Sequence, residues 1–286
     1  MSQPSLEQHR LHRRKYEQNK FVYPVVSRRS RGISLGVNLN PDKICNFDCI
    51  YCQVDRRSEA EQRFVEMDRL LHEVEETLTL ITSGEIYSDP TFASLPESLR
   101  RLNDIAFSGD GEPTTFRNFD DIIGQVAGIK QRLGLDQVKM VLITNASMFH
   151  RPRVQAGLQI LDRNQGEIWG KLDAGTEAYF HLIDRTKIPF QRILDNLTIA
   201  SSVRPIVIQS LFMNVNGVPP DASEIGAYVG RLNDILSAGG AIKLVQVYTV
   251  ARQPAESFVT PLSAAEVDHI VQRIQEETGL PAEPYY

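Results

Sequence analysis

Six apolar runs of strand length, alternating with segments of helical spacing, narrow this chain to a few folds. The runs are ISLGVNL (33–39), DIAFSG (104–109), VKMVLIT (138–144), EIWGKLD (167–173), PIVIQSLFM (205–213) and IKLVQVYTV (242–250). Between them apolar residues recur at helical intervals: Leu70, Leu71, Val74 and Leu78; Phe119, Ile122, Ile123 and Val126; Ile225, Val229, Leu232 and Ile235. Each stripe can cover one side of a sheet. Asp221 with Glu224, and Ser263 with Glu266, are spaced as helix-starting capping boxes. Strands alternating with helices pair in parallel, and crossovers of constant hand wind them about a common axis. The expected fold is α/β, a partial (β/α)6 TIM-like barrel, with a doubly wound open sheet as the other solution.

With 286 residues and 42% hydrophobic content, the chain can bury one large core. The expected organisation is a basic N-terminal extension (1–32), the barrel (33–250), and a C-terminal linker and helix (251–286). ARQPAESFVTPLS (251–263) reads as that linker, and PAEPYY as a plain tail. No apolar run reaches the about 18 residues of a membrane span, and the first residues lack the apolar stretch of a secretory signal. A cytoplasmic protein with no membrane partner is expected.

Charge is distributed unevenly. Residues 1–32 hold eight basic side chains (Arg10, Arg13, Arg14, Lys15, Lys20, Arg28, Arg29, Arg31) against Glu7 and Glu17, in a chain whose net charge is −5. Such an arm can track phosphates or lie solvated on the body. The acidic stretch from Glu59 to Glu76 reads as the solvated face of a helix.

All three cysteines of the chain, Cys45, Cys49 and Cys52, fall just after the first strand, in C-x3-C-x2-C spacing. The spacing is too tight for mutual bridging and the number is odd, so a reducing compartment and a metal fit better than disulfides. Thiolates suit zinc or an iron–sulfur cluster. Structural zinc takes four protein ligands, yet there is no fourth cysteine and no histidine nearer than His72. A cube of four irons and four sulfides can instead be held through three irons, leaving the fourth open.

CNFDCIYC, with Tyr51 at its aromatic position, resembles the radical S-adenosylmethionine (SAM) enzymes, whose hallmark is C-x3-C-x-aromatic-C. The resemblance covers about residues 33–250 and implies a [4Fe-4S] cluster whose open iron chelates S-adenosyl-L-methionine. Reductive cleavage of SAM then gives a 5′-deoxyadenosyl radical that abstracts hydrogen from substrate. It also implies an electron donor of flavodoxin or ferredoxin type. In FSGDGEPT, residues Gly109, Asp110, Gly111 and Glu112 stand where the family has a glycine-glycine-glutamate segment that binds the SAM amino group. Here Asp110 makes the pattern G-D-G-E. Glycine lets backbone approach a ligand closely, and a carboxylate can accept from an ammonium; as sequence alone, the segment is also an ordinary turn.

Active sites of such barrels lie at the C-terminal ends of the strands. Polar residues there are Asn145 after strand three, Lys171 and Asp173 at the end of strand four, Gln209 on strand five, and Gln246 and Tyr248 on strand six. Alternation puts Lys171 and Asp173 on one face, as it does Gln246 and Tyr248. Two charges on one apolar strand need a reason, because burying charge is costly. The resemblance assigns Lys171 to the SAM carboxylate and Asp173 to the ribose or the substrate. Lys171 and Asp173 are the candidate catalytic residues, and Tyr51, Asn145, Gln209, Gln246 and Tyr248 are further candidate cofactor contacts; Gln209, Gln246 and Tyr248 serve at least as easily as satisfied core polar groups. His150, beside Arg151 and Arg153, reads as a surface cap or, alternatively, as a contact for a substrate phosphate or carboxylate, and Trp169 as wall packing.

Within the superfamily, SLGVNLNPDKICNFDCIYCQV looks most like the group of the wyosine tRNA-base synthases and their bacterial relatives. Those synthases use extra cysteines for a second cluster, and this chain has none left. What remains is a one-cluster hydrogen abstraction from an RNA base, a peptide or protein, or a small molecule. The basic arm favours RNA and tRNA modification, while the net negative charge weighs against it. The competing class is a non-enzymatic iron–sulfur or zinc protein with a structural, electron-transfer or sensing role.

Overall fold

A computed structural model describes residue 16 and residues 18–27, 29, 31–252, 254 and 256–286. Arg10, Arg13, Arg14, Lys15 and Arg28 of the basic arm lie outside the described residues. The chain divides into two compact units: residues 1–44, 59–142 and 152–167, and residues 45–58, 143–151 and 168–286.

In the first unit, β1 (Val22–Ser27) pairs antiparallel with β2 (Gly32–Val37), β2 runs parallel to β3 (Leu102–Phe107), and β3 runs parallel to β4 (Lys139–Thr144). The longer helices are α1 (Met67–Ser83), α2 (Phe119–Arg132) and α3 (Pro152–Asp162). Along α1 the stripe Leu70, Val74 and Leu78 is fully buried. Each such side chain contributes about 1.5–3 kcal/mol relative to exposure. In α2 the predicted Phe119, Ile122, Ile123 and Val126 are likewise at 0% exposure, the whole stripe facing inward.

In the second unit the sheet order is β5 (Gly166–Lys171), β6 (Ile206–Leu211), β8 (Ile242–Tyr248) and β10 (Ala282–Tyr285), all parallel. β7 (Met213–Val215) and β9 (Val259–Pro261) form a small antiparallel pair. The helices are α4 (Glu177–Asp184), α5 (Phe190–Val203), α6 (Ala222–Ser237) and α7 (Ala264–Thr278). Among the described residues no helix is long and apolar enough to cross a membrane.

The architecture is α/β, a partial (β/α)6 barrel built on β2, β3, β4, β5, β6 and β8. Each predicted strand is found within two residues at either end. Two strands lie beyond the predicted six. β1 occupies part of the stretch read as a basic extension, and β10 occupies the stretch read as a tail. Pro24 in β1 and Pro284 in β10 mark both as edge strands, where a missing backbone N–H is tolerated.

Two acidic residues behave differently from their sequence reading. Glu73, in the stretch read as a solvated face, is 3% exposed and accepts from the backbone N–H groups of Lys20, Phe21 and Val22 at 2.9, 2.8 and 3.2 Å. Arg69 Nε donates to the same carboxylate at 2.9 Å. The chain entering β1 is thereby tied to α1 by a residue that helical periodicity cannot single out.

Asp221 does cap α6, accepting from Glu224 N at 2.8 Å. The Glu224 carboxylate, however, is turned to the loop after β5, where it accepts from Gly175 N at 2.5 Å and Thr176 Oγ1 at 2.6 Å. Ser263 and Glu266 form the full reciprocal capping box at α7.

Candidate active site

The cysteine loop is held by the end of a helix. α4 leaves its last carbonyls without intrahelical partners, and Ile50 N donates to Ile183 O at 2.8 Å while Asp48 N donates to Asp184 O at 3.1 Å. Thr186 Oγ1 donates to Asn46 O at 3.0 Å. Cys45, Cys49 and Cys52 are all unbridged and half-buried. The Cys49 thiol donates to Asp184 Oδ1 at 3.1 Å, and Arg56 Nη2 donates to Cys52 Sγ at 3.5 Å.

A second set of bonds fixes Asn46 within the loop. Asn46 Nδ2 donates to Ser147 Oγ at 2.8 Å, Asn145 Nδ2 donates to Asn46 Oδ1 at 2.9 Å, and Ser147 Oγ donates to Asn145 Oδ1 at 2.6 Å. Asn145 thus anchors the cysteine loop, a role its position after β4 did not reveal.

Tyr51, Lys171 and Asp173 meet at the end of β5. Asp173, 3% exposed, accepts from the Tyr51 hydroxyl and, through Oδ1, from Leu211 N at 2.7 Å. Lys171 Nζ lies over the Tyr51 ring, 5.4 Å from its centroid, a cation–π contact. A small cavity of about 10 Å³, room for roughly one water, adjoins them, lined by the rings of Phe47, Phe180 and Phe190 and by Lys171, Asp173 and Asp184.

Burial sets the protonation of this cluster. It pushes the Cys49 thiol well up, and the Asp184 carboxylate adds to the effect. Burial likewise raises Tyr51, with Asp173 next in size. Asp173 is raised because burial outweighs the opposing Lys171 ammonium, and Asp184 is raised by burial and then by Asp173. Lys171 is raised as well, but against burial: burial acts to lower it, and the neighbouring Tyr248, Cys49 and Asp173 hold it above its ordinary value.

Strand register extends the row. Lys171 is in register with Gln209, Gln209 with Gln246, and Gln246 with Glu283 of β10. Gln209 and Gln246 are buried and bonded to each other, Nε2 to Oε1, at 2.8 Å. One rung on, Leu211, Tyr248 and Tyr285 are in register, and Tyr285 Oη donates to Glu283 Oε2 at 2.6 Å. Glu283 and Tyr285 were missed because their strand is short and proline-containing. Asp184, Arg56 and Arg185 were missed because loop and helix ends carry no periodic signal.

Arg185, left-handed with φ 42° at the end of α4, pairs with Glu256 at 2.6 Å and lies 3.8 Å from Asp48. The stretch read as a plain linker is thus fastened to the cysteine loop. His150 is exposed and Trp169 buried.

The G-D-G-E segment belongs to the first unit, at the end of β3. Asn38, just past β2, accepts from Asp110 N at 3.2 Å and donates to Asp110 Oδ2 at 2.7 Å. A Cβ on Gly109 would lie 2.2 Å from Asn38 Oδ1, and one on Gly111 would lie 2.2 Å from Ile44 O. The close approach that requires glycine here is therefore to protein. Glu112 is buried, and its Oε1 accepts from Thr114 Oγ1 at 2.6 Å and Thr114 N at 3.1 Å.

No protein-family model matches the chain. It is similar to the GTPase Obg of Brachyspira hyodysenteriae, 27% identical over 188 residues covering 64% of this chain and 23% of that protein. A UPF0026 protein of Helicobacter pylori is 24% identical over 217 residues, 73% of this chain and 62% of that protein. A UPF0026 protein of Methanocaldococcus jannaschii is 31% identical over 168 residues, 57% and 43% of the two. The chain thus spans 23% to 62% of the length of these curated relatives.

Three solved structures share its fold. TYW1 with a lysine-pyruvate adduct bound has a TM-score of 0.55 and 15% identity, over 86% of this chain and 74% of that one. A radical SAM methyltransferase from Sphaerobacter thermophilus has a TM-score of 0.63 and 12% identity, over 92% and 68%. Streptococcus suis SuiB bound to S-adenosylmethionine has a TM-score of 0.59 and 12% identity, over 90% and 52%.

Proposed function

We propose that this chain is a radical SAM enzyme in which Cys45, Cys49 and Cys52 hold a [4Fe-4S] cluster through three of its irons. The observation that carries the reading is the cysteine loop: three unbridged, half-buried thiols, clamped by α4 and by the Tyr51–Asp173 bond, in a chain with no fourth cysteine. The donor set fits such a cluster. A structural zinc ion takes four protein ligands, and the loop offers three cysteines with no histidine nearer than His72. A cluster takes each thiolate on its own iron and admits a wider spread.

When bound, the cluster supplies one electron to SAM. The chain's own residues bind and orient. Lys171 offers an ammonium to the SAM carboxylate, and Asp173, fixed by Tyr51 and Leu211 N, accepts from a ribose hydroxyl or the substrate. The resemblance assigns Gly109, Asp110, Gly111 and Glu112 to the SAM amino group. Asn145 holds the loop, while Gln209, Gln246 and Tyr248 form a polar floor.

The substrate class remains RNA base, peptide or small molecule, and the electron donor is of flavodoxin or ferredoxin type in a reducing, cytoplasmic compartment. Wyosine-base formation is not proposed, for want of further thiols. The chain also has no G-x-x-x-x-G-K-[ST] segment, so the activity in the name of the Obg relative has no matching phosphate loop here.

Anaerobic reconstitution, dithionite reduction and addition of SAM, with 5′-deoxyadenosine quantified beside Cys49→Ala, test the proposal. Product from the wild type alone supports it. A fully loaded wild-type protein that neither binds SAM nor forms product overturns it in favour of the non-enzymatic reading.

A further inference from the structure

We infer that Arg56 sets the reduction potential of the cluster, an inference that rests on the reading just proposed. Its spacing extends the motif to C-x3-C-x2-C-x3-R. The turn that follows is closed by Asp55, whose Oδ1 accepts from Arg57 N at 2.9 Å and Ser58 N at 3.3 Å. The backbone is thereby bent so that the guanidinium returns to Cys52, with Nη2 at 3.5 Å from Sγ. Arg56 is half-buried, where solvent and salt screen its charge less than at the open surface.

Hydrogen bonds to ligand sulfurs and local charge are levers on the potential of an iron–sulfur centre. Reduction adds one electron, taken from an external one-electron reductant, and that negative charge spreads onto the ligand sulfurs. A guanidinium cannot shed its proton in a protein, so it stabilises the reduced form more than the oxidised form and raises the potential. The sulfurs are not equivalent: Cys52 faces this cation, whereas Cys49 faces the carboxyl of Asp184 at 3.1 Å.

The test uses full-length wild type, Arg56→Gln and Arg56→Lys, each reconstituted anaerobically. Iron and sulfide are counted per chain, and the midpoint is read by paramagnetic resonance during a redox titration without SAM or substrate. Loaded Arg56→Gln is expected to show a reduced-to-oxidised ratio roughly tenfold lower at a fixed potential, about 59 mV for a one-electron couple. Arg56→Lys, which keeps the charge but not the planar fork, is expected to lie between. Loaded Arg56→Gln with the wild-type midpoint overturns the inference, as does lower loading with an unchanged midpoint, which would make Arg56 a residue of loop assembly alone. A wild type that takes up no four-iron cluster removes the proposed function itself, and is told apart by its iron count.

Discussion

The hydroxyl of Tyr51 donates to the carboxylate of Asp173, joining the aromatic position of the cysteine motif to the residue two past β5. This bond makes the end of a strand part of the cysteine loop's support. It gives the aromatic residue a task beyond filling space.

Tyr51→Phe keeps the ring under Lys171 and removes only this bond. Hydrogen bonds to charged groups contribute about 1.5–3 kcal/mol, so urea unfolding of the cluster-free protein is expected to show a loss in that range. An unchanged midpoint would mean that Leu211 N and solvent satisfy Asp173 unaided.

Glu73→Ala leaves three backbone N–H groups and Arg69 without their acceptor in a buried place. Breaking a buried charged network from one side costs about 3–5 kcal/mol. Glu73→Gln, which keeps one carbonyl oxygen, is expected to lose less. The order of the two variants in chemical denaturation checks the assignment.

At the start of α6 the two acidic residues are expected to separate. Asp221→Ala removes an exposed cap and is expected to cost little. Glu224→Ala costs more, because Gly175 N and Thr176 lose a buried partner. Equal losses in thermal unfolding would instead support a simple capping box.

Two glycines give opposite forecasts. Gly111→Ala puts a Cβ 2.2 Å from the Ile44 carbonyl, so the G-D-G-E segment must shift, and SAM affinity measured by calorimetry is expected to fall at least about tenfold. In α6, Gly230 has open space around it, and Gly230→Ala is expected to gain about 0.8–1 kcal/mol by helix propensity.

Much of the barrel was legible because its parallel strands are apolar on both faces and its helices carry one clean stripe, as in Phe119, Ile122, Ile123 and Val126. The edge strands escaped notice: AEPY is four residues long and is a strand only because β8 lies beside it. Of the candidate site, alternation identified Lys171 and Asp173, since two charges on one apolar strand are conspicuous. It could not reveal Glu73 or Glu224, whose partners stand about fifty residues away in the chain, nor that Asn38 and the Ile44 carbonyl are what Gly109 and Gly111 make room for.

Pro24 and Pro284 bear on behaviour in crowded solution. An exposed sheet edge invites a stranger's strand, and a run of free donors and acceptors is the template for such growth. Each edge strand here has a residue with no hydrogen to give, and proline is tolerated in such strands with its nitrogen on the free side. A newly made chain is therefore poorly suited to self-association along either edge strand, and the same two positions are where a replacement by valine would open a path to fibrous aggregates.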